Sequence, residues 1–304
     1  MAPRVMLLVL NWNGLTETLA CLESLRWLEY PDYEIWVVDN GSTDGSPAAI
    51  RERFPEVNLI EHGENLGFAG GNNVGLRRAL ERGVRYALLL NNDTEVAPDF
   101  LGRMVRASES DPTVGIAGPT IYYHGRPELI WSAGGAIDWR RGETWMVGLN
   151  APDTGQFGTV ARQVDFVTGC ALLVKRAVME RVGLLDERFF AYYEEAEWCV
   201  RAQRAGFKTI HVPGAKVWHK IPLDGRDSSP AVHYYMTRNR LLFLKATGAS
   251  WRAWGYVLFA EYLRTLISWS VKTRWQDKRS HRTAMIRAIA DAGRGRWGGQ
   301  AQDS

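Results

Sequence analysis

The first 120 residues alternate short, unbroken apolar runs with segments of helical length, and this alternation restricts the fold more than any other feature. Residues 5–10, 34–39, 57–61, 86–90 and 114–117 read as strands. Residues 15–27, 46–54, 70–82 and about 98–108 read as the helices between them. A strand that is apolar on both faces must be covered on both, and intervening helices supply the parallel crossovers. The expectation is an α/β fold with a mostly parallel sheet flanked by helices.

In such a sheet, ligands bind beyond the carboxyl ends of the strands. Four polar, glycine-rich clusters fall there: Asn11-Trp12-Asn13-Gly14, the run from Asp39 to Ser46, the run from Asn65 to Asn73, and Asn91-Asn92-Asp93-Thr94. Read as loops converging on one edge, they suit a nucleotide enzyme. Residues 120–165 lose the periodicity and gain Gly, Trp and Arg, as a loop-rich insertion bordering an acceptor would. An extended segment at 164–174, a helix to about Val182, a helix at 194–205 and short strands at 209–212 and 216–218 follow. From about Ala231 the pattern is helical to the end. The division is a catalytic domain over 1–230 and a helical extension over 231–304.

Charge separates the same two parts. The chain carries +3, but residues 231–304 hold thirteen Lys/Arg against four Asp/Glu, a charge of +9 that leaves −6 for residues 1–230. A basic tail points to an anionic surface, either membrane or nucleic acid, and Asp- and Asn-rich loops argue against nucleic acid. Residues 241–271 mix Leu, Phe, Trp and Tyr with basic flanks. They suit a helix lying in a bilayer interface and, equally, a helical pair packed on the body. The most apolar stretch, 254–271, is broken by Glu261 and Arg264, short of the roughly 20 apolar residues of a spanning helix. Cys21, Cys170 and Cys199 have no metal-ligand spacing, and the run 5–10 is too short for a signal peptide. The expected location is cytoplasmic, at the inner face of the plasma membrane on the first reading of the tail.

Three motifs carry chemistry. Asp39, with Gly41 and Ser42 in the turn behind it, is an acid at a strand end that suits a nucleobase or ribose, though a capped turn explains it equally. In Asn91-Asn92-Asp93, a carboxylate at a strand end can hold a divalent cation against a diphosphate, or it can simply announce the next helix. Glu194-Glu195 stand at a helix start behind the aromatic run Phe189–Tyr193. One of them suits a general base in a shaped pocket, and complementarity to the helix dipole, about 0.3–1 kcal/mol per acid, is the plainer explanation. Glu197 and Arg201 have the spacing of a structural ion pair.

The stretches VVDNGSTDGS, ENLGFAGGNNVG, LLLNNDTEV, DFVTGCALLVKR, GLLDERFFAYYEEAEWCVRAQRAGF and YYMTRNRLLFL, in order along most of the chain, resemble the family 2 glycosyltransferases. Within these they are similar to the bacterial rhamnosyltransferase-like branch that builds surface polysaccharide and cell wall. The resemblance implies a GT-A fold and displacement at the anomeric carbon with inversion. It places the donor at Asn11, Asn13, Asp39, Gly41, Ser42, Asn65, Gly67, Phe68, Gly71, Asn72, Asn92 and Asp93. Asp93 matches the last acid of the family's metal triplet and is its only carboxylate here, with Mn²⁺ or Mg²⁺ implied; His219 matches a late histidine that helps hold metal or diphosphate. Glu195 stands where the family usually has Asp as the base, so the longer side chain keeps Glu194 as the alternative. Arg238 and Arg240 offer cationic support to the phosphates, or a solvated helix face. The implied partners are a nucleotide-sugar donor, first dTDP-L-rhamnose and otherwise a UDP- or GDP-hexose, and a glycan or lipid-linked acceptor. More distant alternatives are a nucleotidyltransferase or a dinucleotide enzyme, whose spaced glycines the first strand–helix turn lacks, and a non-enzymatic nucleic-acid binder using the basic tail.

Overall fold

The computed structural model describes residues 2–223 and 229–300. The N-terminal half runs β1 (Val5–Asn11), α1 (Leu15–Leu25), β2 (Tyr33–Asp39), α2 (Ser46–Arg53), β3 (Asn58–Glu61), α3 (Gly67–Glu81) and β4 (Tyr86–Asn91). Then come β5 (Thr94–Val96), α4 (Phe100–Glu109), β6 (Val114–Tyr123), β7 (Arg126–Ser132), β8 (Gly135–Asp138) and β9 (Glu143–Met146). The central sheet is completed by β10 (Arg162–Gln163), β11 (Ala171–Lys175), α5 (Arg176–Val182), α6 (Glu194–Arg204) and β12 (Lys208–His219).

The strands lie in the order β10-β12-β6-β11-β4-β1-β2-β3. β3, β2, β1, β4, β6 and β12 run one way, and β11 is the antiparallel strand inserted among them. Alternation along β1 sends Leu7 and Val9 to a core with Leu22, Phe100 and Met104 of α1 and α4. It sends Met6 and Leu8 to a second core with Leu76 and Trp198 of α3 and α6. This is why a strand buried on both faces reads as an unbroken apolar run.

The structure redraws several elements. The helix expected over 70–82 begins three residues earlier, so that the glycine-rich stretch after Asn65 is a loop only to Leu66 and Gly67 opens α3. A Cβ at Gly71 would lie 2.5 Å from Leu10 and one at Gly75 2.8 Å from Leu8, so these glycines let the helix approach β1. The extended segment at 164–174 is a strand only from Ala171, with Thr168-Gly169-Cys170 turning at the sheet edge. The two short strands at 209–212 and 216–218 are one, β12, with an irregularity between Val212 and Lys216.

After Ser229 come α7 (Pro230–Ala246), α8 (Trp251–Gly255), a π-helical segment (Tyr256–Leu263), α9 (Arg264–Val271), a 3-10 segment (Thr273–Lys278) and α10 (Arg279–Gly293). α7 inserts Leu242 and Phe243 into the second core. α10 runs against α7, where Tyr234 donates to Asp291 at 2.9 Å. Among the described residues, no helix is long and apolar enough to cross a membrane.

Candidate active site

The register aligns the polar strand ends. Asn11 stands opposite Asp39, and Leu10 opposite Asn91. Asn11 therefore donates from Nδ2 to Asp39 Oδ2 at 2.7 Å and to Ser46 Oγ at 2.8 Å, while its Oδ1 accepts from Thr18 at 2.7 Å. Asp39 is 2% exposed, and its Oδ1 accepts from the Ser42 backbone at 2.9 Å. Its carboxylate thus braces the turn from within. Asn13 joins from the rim, receiving Thr43 N at 2.8 Å and donating its own N–H to Ser42 Oγ at 2.9 Å. Gly41 has φ +83° and the Glu64 backbone 2.9 Å from where a Cβ would be, so the turn is closed to any other residue.

Asn40 links this turn to the next, donating to Asn65 Oδ1 at 2.9 Å and to Gly67 O at 3.1 Å. Phe68 reaches the cleft described below, whereas Gly71 and Asn72 are buried, Asn72 donating to Phe68 O at 2.9 Å. Thr18 lies outside the polar clusters of the sequence, while Asn40 and Asn73 lie within them without an assigned role; Asn73 exchanges hydrogen bonds with the Leu185 backbone at 2.9 and 3.0 Å. Their polar burial is set by partners up to 112 residues away, so no local pattern assigns them a role.

Asn92 and Asp93 divide between two duties. Asn92 donates to Thr18 Oγ1 at 2.9 Å and so belongs to the first network. Asp93 meets His219 because β5 pairs antiparallel with the end of β12, Thr94 opposite His219. His219 Nε2 lies 3.1 Å from both carboxylate oxygens; the hydrogen bond is directed at Oδ2, and Oδ1 is buried without a hydrogen-bond partner. Burial pushes the Asp93 carboxyl up, but the bond and charge of His219 outweigh it and hold it below its ordinary value. Burial draws the His219 imidazole down, and Cys170 and Asp93 overcome this and lift it to about 10. Trp131, from the 120–165 insertion, packs edge-on against His219 with centroids 4.8 Å apart.

Glu194 and Glu195 open α6 behind a loop with three left-handed residues. Phe190, Tyr192 and Tyr193 have φ of 66°, 72° and 76°, at about 1–3 kcal/mol each for residues with a Cβ. Asn239 of α7 holds this loop, donating to the carbonyls of Phe189, Ala191 and Tyr192 at 2.7, 2.6 and 3.0 Å. Glu194 is 3% exposed, and burial first, then the Glu195 carboxylate, push it well above its ordinary value. Glu197 and Arg201 form the structural pair their spacing announces, at 2.8 Å.

Arg238 and Arg240 are corrected here. Arg238 is 1% exposed, and its guanidinium donates to Gly298 O at 2.6 Å and Phe189 O at 3.2 Å. Arg240 donates to Gly142 O at 2.8 Å and pairs with Glu261. Both are spent on backbone and core contacts, and neither forms a solvated face. Asn239, the uncharged residue between them, is the one that reaches the loop ahead of α6.

One cleft of about 740 Å³ gathers Phe68, Asp93, Glu194, Glu195 and His219, with Met236 of α7 on its wall. Among the described residues no three His, Cys, Asp or Glu side chains cluster as a protein-only metal cage. The buried, partnerless Asp93 Oδ1 nevertheless fits a hard cation that takes its other ligands from phosphate.

Comparison with known proteins agrees with this architecture. Over 253 residues the chain is 29% identical to the N-acetylglucosaminyl-diphospho-decaprenol L-rhamnosyltransferase of Mycobacterium tuberculosis, covering 76% of this chain and 80% of that one. It is 25% identical over 204 residues to the dTDP-rhamnosyl transferase RfbF of Shigella flexneri, covering 62% and 64%. The fold is that of the mannosyltransferase PcManGT from Pyrobaculum calidifontis, solved with GDP-Man and Mn²⁺. The TM-score is 0.60 at 18% identity, over 96% of this chain and 87% of that one, which makes the architecture GT-A-like. The glycosyl transferase family 2 model matches residues 7–183, more than half of the sequence, and the chain belongs to that family.

Proposed function

We propose that the chain moves a sugar from a nucleoside-diphosphate donor to a hydroxyl of a glycan or lipid-linked acceptor, with inversion, in surface-polysaccharide or cell-wall synthesis. The donor of first choice is dTDP-L-rhamnose, which the names of the two bacterial relatives support. The observation that carries the reading is the meeting of the Asp93–His219 pair and the Glu194–Glu195 pair in one cleft at the carboxyl edge of the sheet. That is where a donor and an acceptor would meet.

The roles follow from the electrostatics. Burial first, and then the Glu195 carboxylate, disfavour charge on Glu194, which makes Glu195 the group to take the acceptor hydroxyl's proton as the oxygen attacks the anomeric carbon. The diphosphate leaves from the opposite face of the sugar. Asp93, with His219 behind it, is the group to hold a divalent cation, whose charge would offset that developing on the diphosphate; the Mn²⁺ bound by PcManGT supports this. Asn13, Ser42 and Asn65 line the entry for the nucleoside, with Asn11 and Asp39 setting the shape of their loop. In this reading residues 1–230 supply the donor chemistry, and Arg238 and Asn239 of α7 fix the loop ahead of α6.

Incubation with dTDP-rhamnose, UDP-glucose and GDP-mannose, with Mn²⁺ and a polyprenyl-diphospho-sugar acceptor, tests the reading by product mass. Addition of one deoxyhexose from dTDP-rhamnose is expected. Addition of a hexose instead reassigns the donor, and no product from any donor removes the reading.

A further inference from the structure

The helices after α7 carry an apolar stripe that no described residue covers. In the π-helical segment Val257 and Tyr262 are buried inward, whereas Phe259, Leu263, Ile267 and Val271 are 68, 47, 55 and 76% exposed. Their spacing of four keeps them on one side of the helix, over a length of about 18 Å at the helical rise. Single exposed apolar residues are ordinary, but a continuous row marks a contact surface.

Charge indicates what covers it. Arg252 is exposed before the stripe, Arg264 beside it, and Lys272 and Arg274 after it. Glu261, the acid within the same stretch, is turned away into its pair with Arg240. Trp251, at the same end as Arg252, is also exposed. Apolar side chains flanked by cations and edged with Trp match the boundary between headgroups and acyl chains of an anionic bilayer.

The side of α9 opposite the stripe reaches the cleft wall. Trp269 of α9 lies 5.3 Å, ring to ring, from His233, and His233 lines the cleft with Val232 and Met236. We propose that the exposed face of residues 256–271 is a docking surface for an anionic lipid bilayer, holding at the headgroups the helix whose inner side meets the cleft wall. This deepens the reading of the acceptor as lipid-linked, but it is tested by binding, so its failure and that of the transferase reading are distinguishable.

The test is co-sedimentation of the full chain with vesicles of phosphatidylcholine alone and of phosphatidylcholine mixed with phosphatidylglycerol. Binding to the mixed vesicles that weakens with added salt is expected. Phe259→Ser with Ile267→Ser, and separately Lys272→Glu with Arg274→Glu, should each lower the partition coefficient roughly tenfold or more, with the unfolding midpoint unchanged. Equal binding by wild type and the first variant overturns the proposal. So does wild-type self-association, abolished by that variant, in a chain that ignores vesicles, because the stripe is then an interface between copies.

Discussion

The side-chain amide of Asn239 lies 2.6 Å from the carbonyl oxygen of Ala191, and this bond joins the C-terminal helices to the loop ahead of Glu194 and Glu195. The loop's left-handed residues are unfavourable alone and persist because Asn239, and Arg238 through the carbonyl of Phe189, occupy its inward-facing oxygens. A helix more than 40 residues along the chain thereby sets the entry to α6.

Asn239→Ala should strand buried carbonyls and release the loop. The expected loss of stability is about 1–3 kcal/mol, read by urea unfolding. We expect kcat to fall about a hundredfold, as for a misplacement near 1 Å, with a smaller change in the donor KM. A wild-type kcat in a folded Asn239→Ala would show that the loop holds itself.

The two glutamates should separate under amide substitution. Glu194→Gln imitates the protonated side chain that burial favours and should keep most of the turnover. Glu195→Gln should lower kcat by about 10²–10⁴-fold, the range for a lost general base. The reverse ranking would assign the base to Glu194.

Asp93→Ala and His219→Ala should both weaken Mn²⁺ binding, measured by calorimetry with the nucleoside diphosphate present. Loss of Asp93 removes the proposed ligand and should abolish the cation dependence. Loss of His219 removes the support behind it and should cost about 10–100-fold in affinity. Undiminished Mn²⁺ affinity in Asp93→Ala would move the cation elsewhere.

Buried His211 makes stability depend on acid. Its Nε2 lies 2.8 Å from Thr120 Oγ1, and burial first, then nearby Arg162, pull its pKa from 6.5 to about 3. Above 6.5 it is neutral whether the chain is folded or not. Below 6.5 the unfolded chain takes the proton first, so stability should fall by up to about 1.4 kcal/mol per pH unit until about pH 3. Urea titrations should show a shallower fall in His211→Gln over the same window, and equal slopes would mean that His211 charges freely in the fold.

How much was legible follows from the range of the forces involved. The strands of the parallel half and the acids at their ends were readable because unbroken apolar runs, glycine turns and paired carboxylates are local in sequence. Glu197 with Arg201 is local too, at one helical turn. The helix expected over 70–82 starts three residues earlier, because the glycines that lower helix propensity there also let α3 pack close to Leu8 and Leu10.

The sequence by itself determined the layered α/β architecture, the edge on which the polar clusters gather and the family motifs. All of these rest on side-chain types at short, regular spacing. Only the tertiary structure decided that Arg238 and Arg240 are internal braces, that Asn239 restrains the loop ahead of Glu194, and that Asp93 faces His219 across 126 residues. Each of those depends on where a long-range register brings a polar atom, and a buried donor takes whichever carbonyl the fold presents to it.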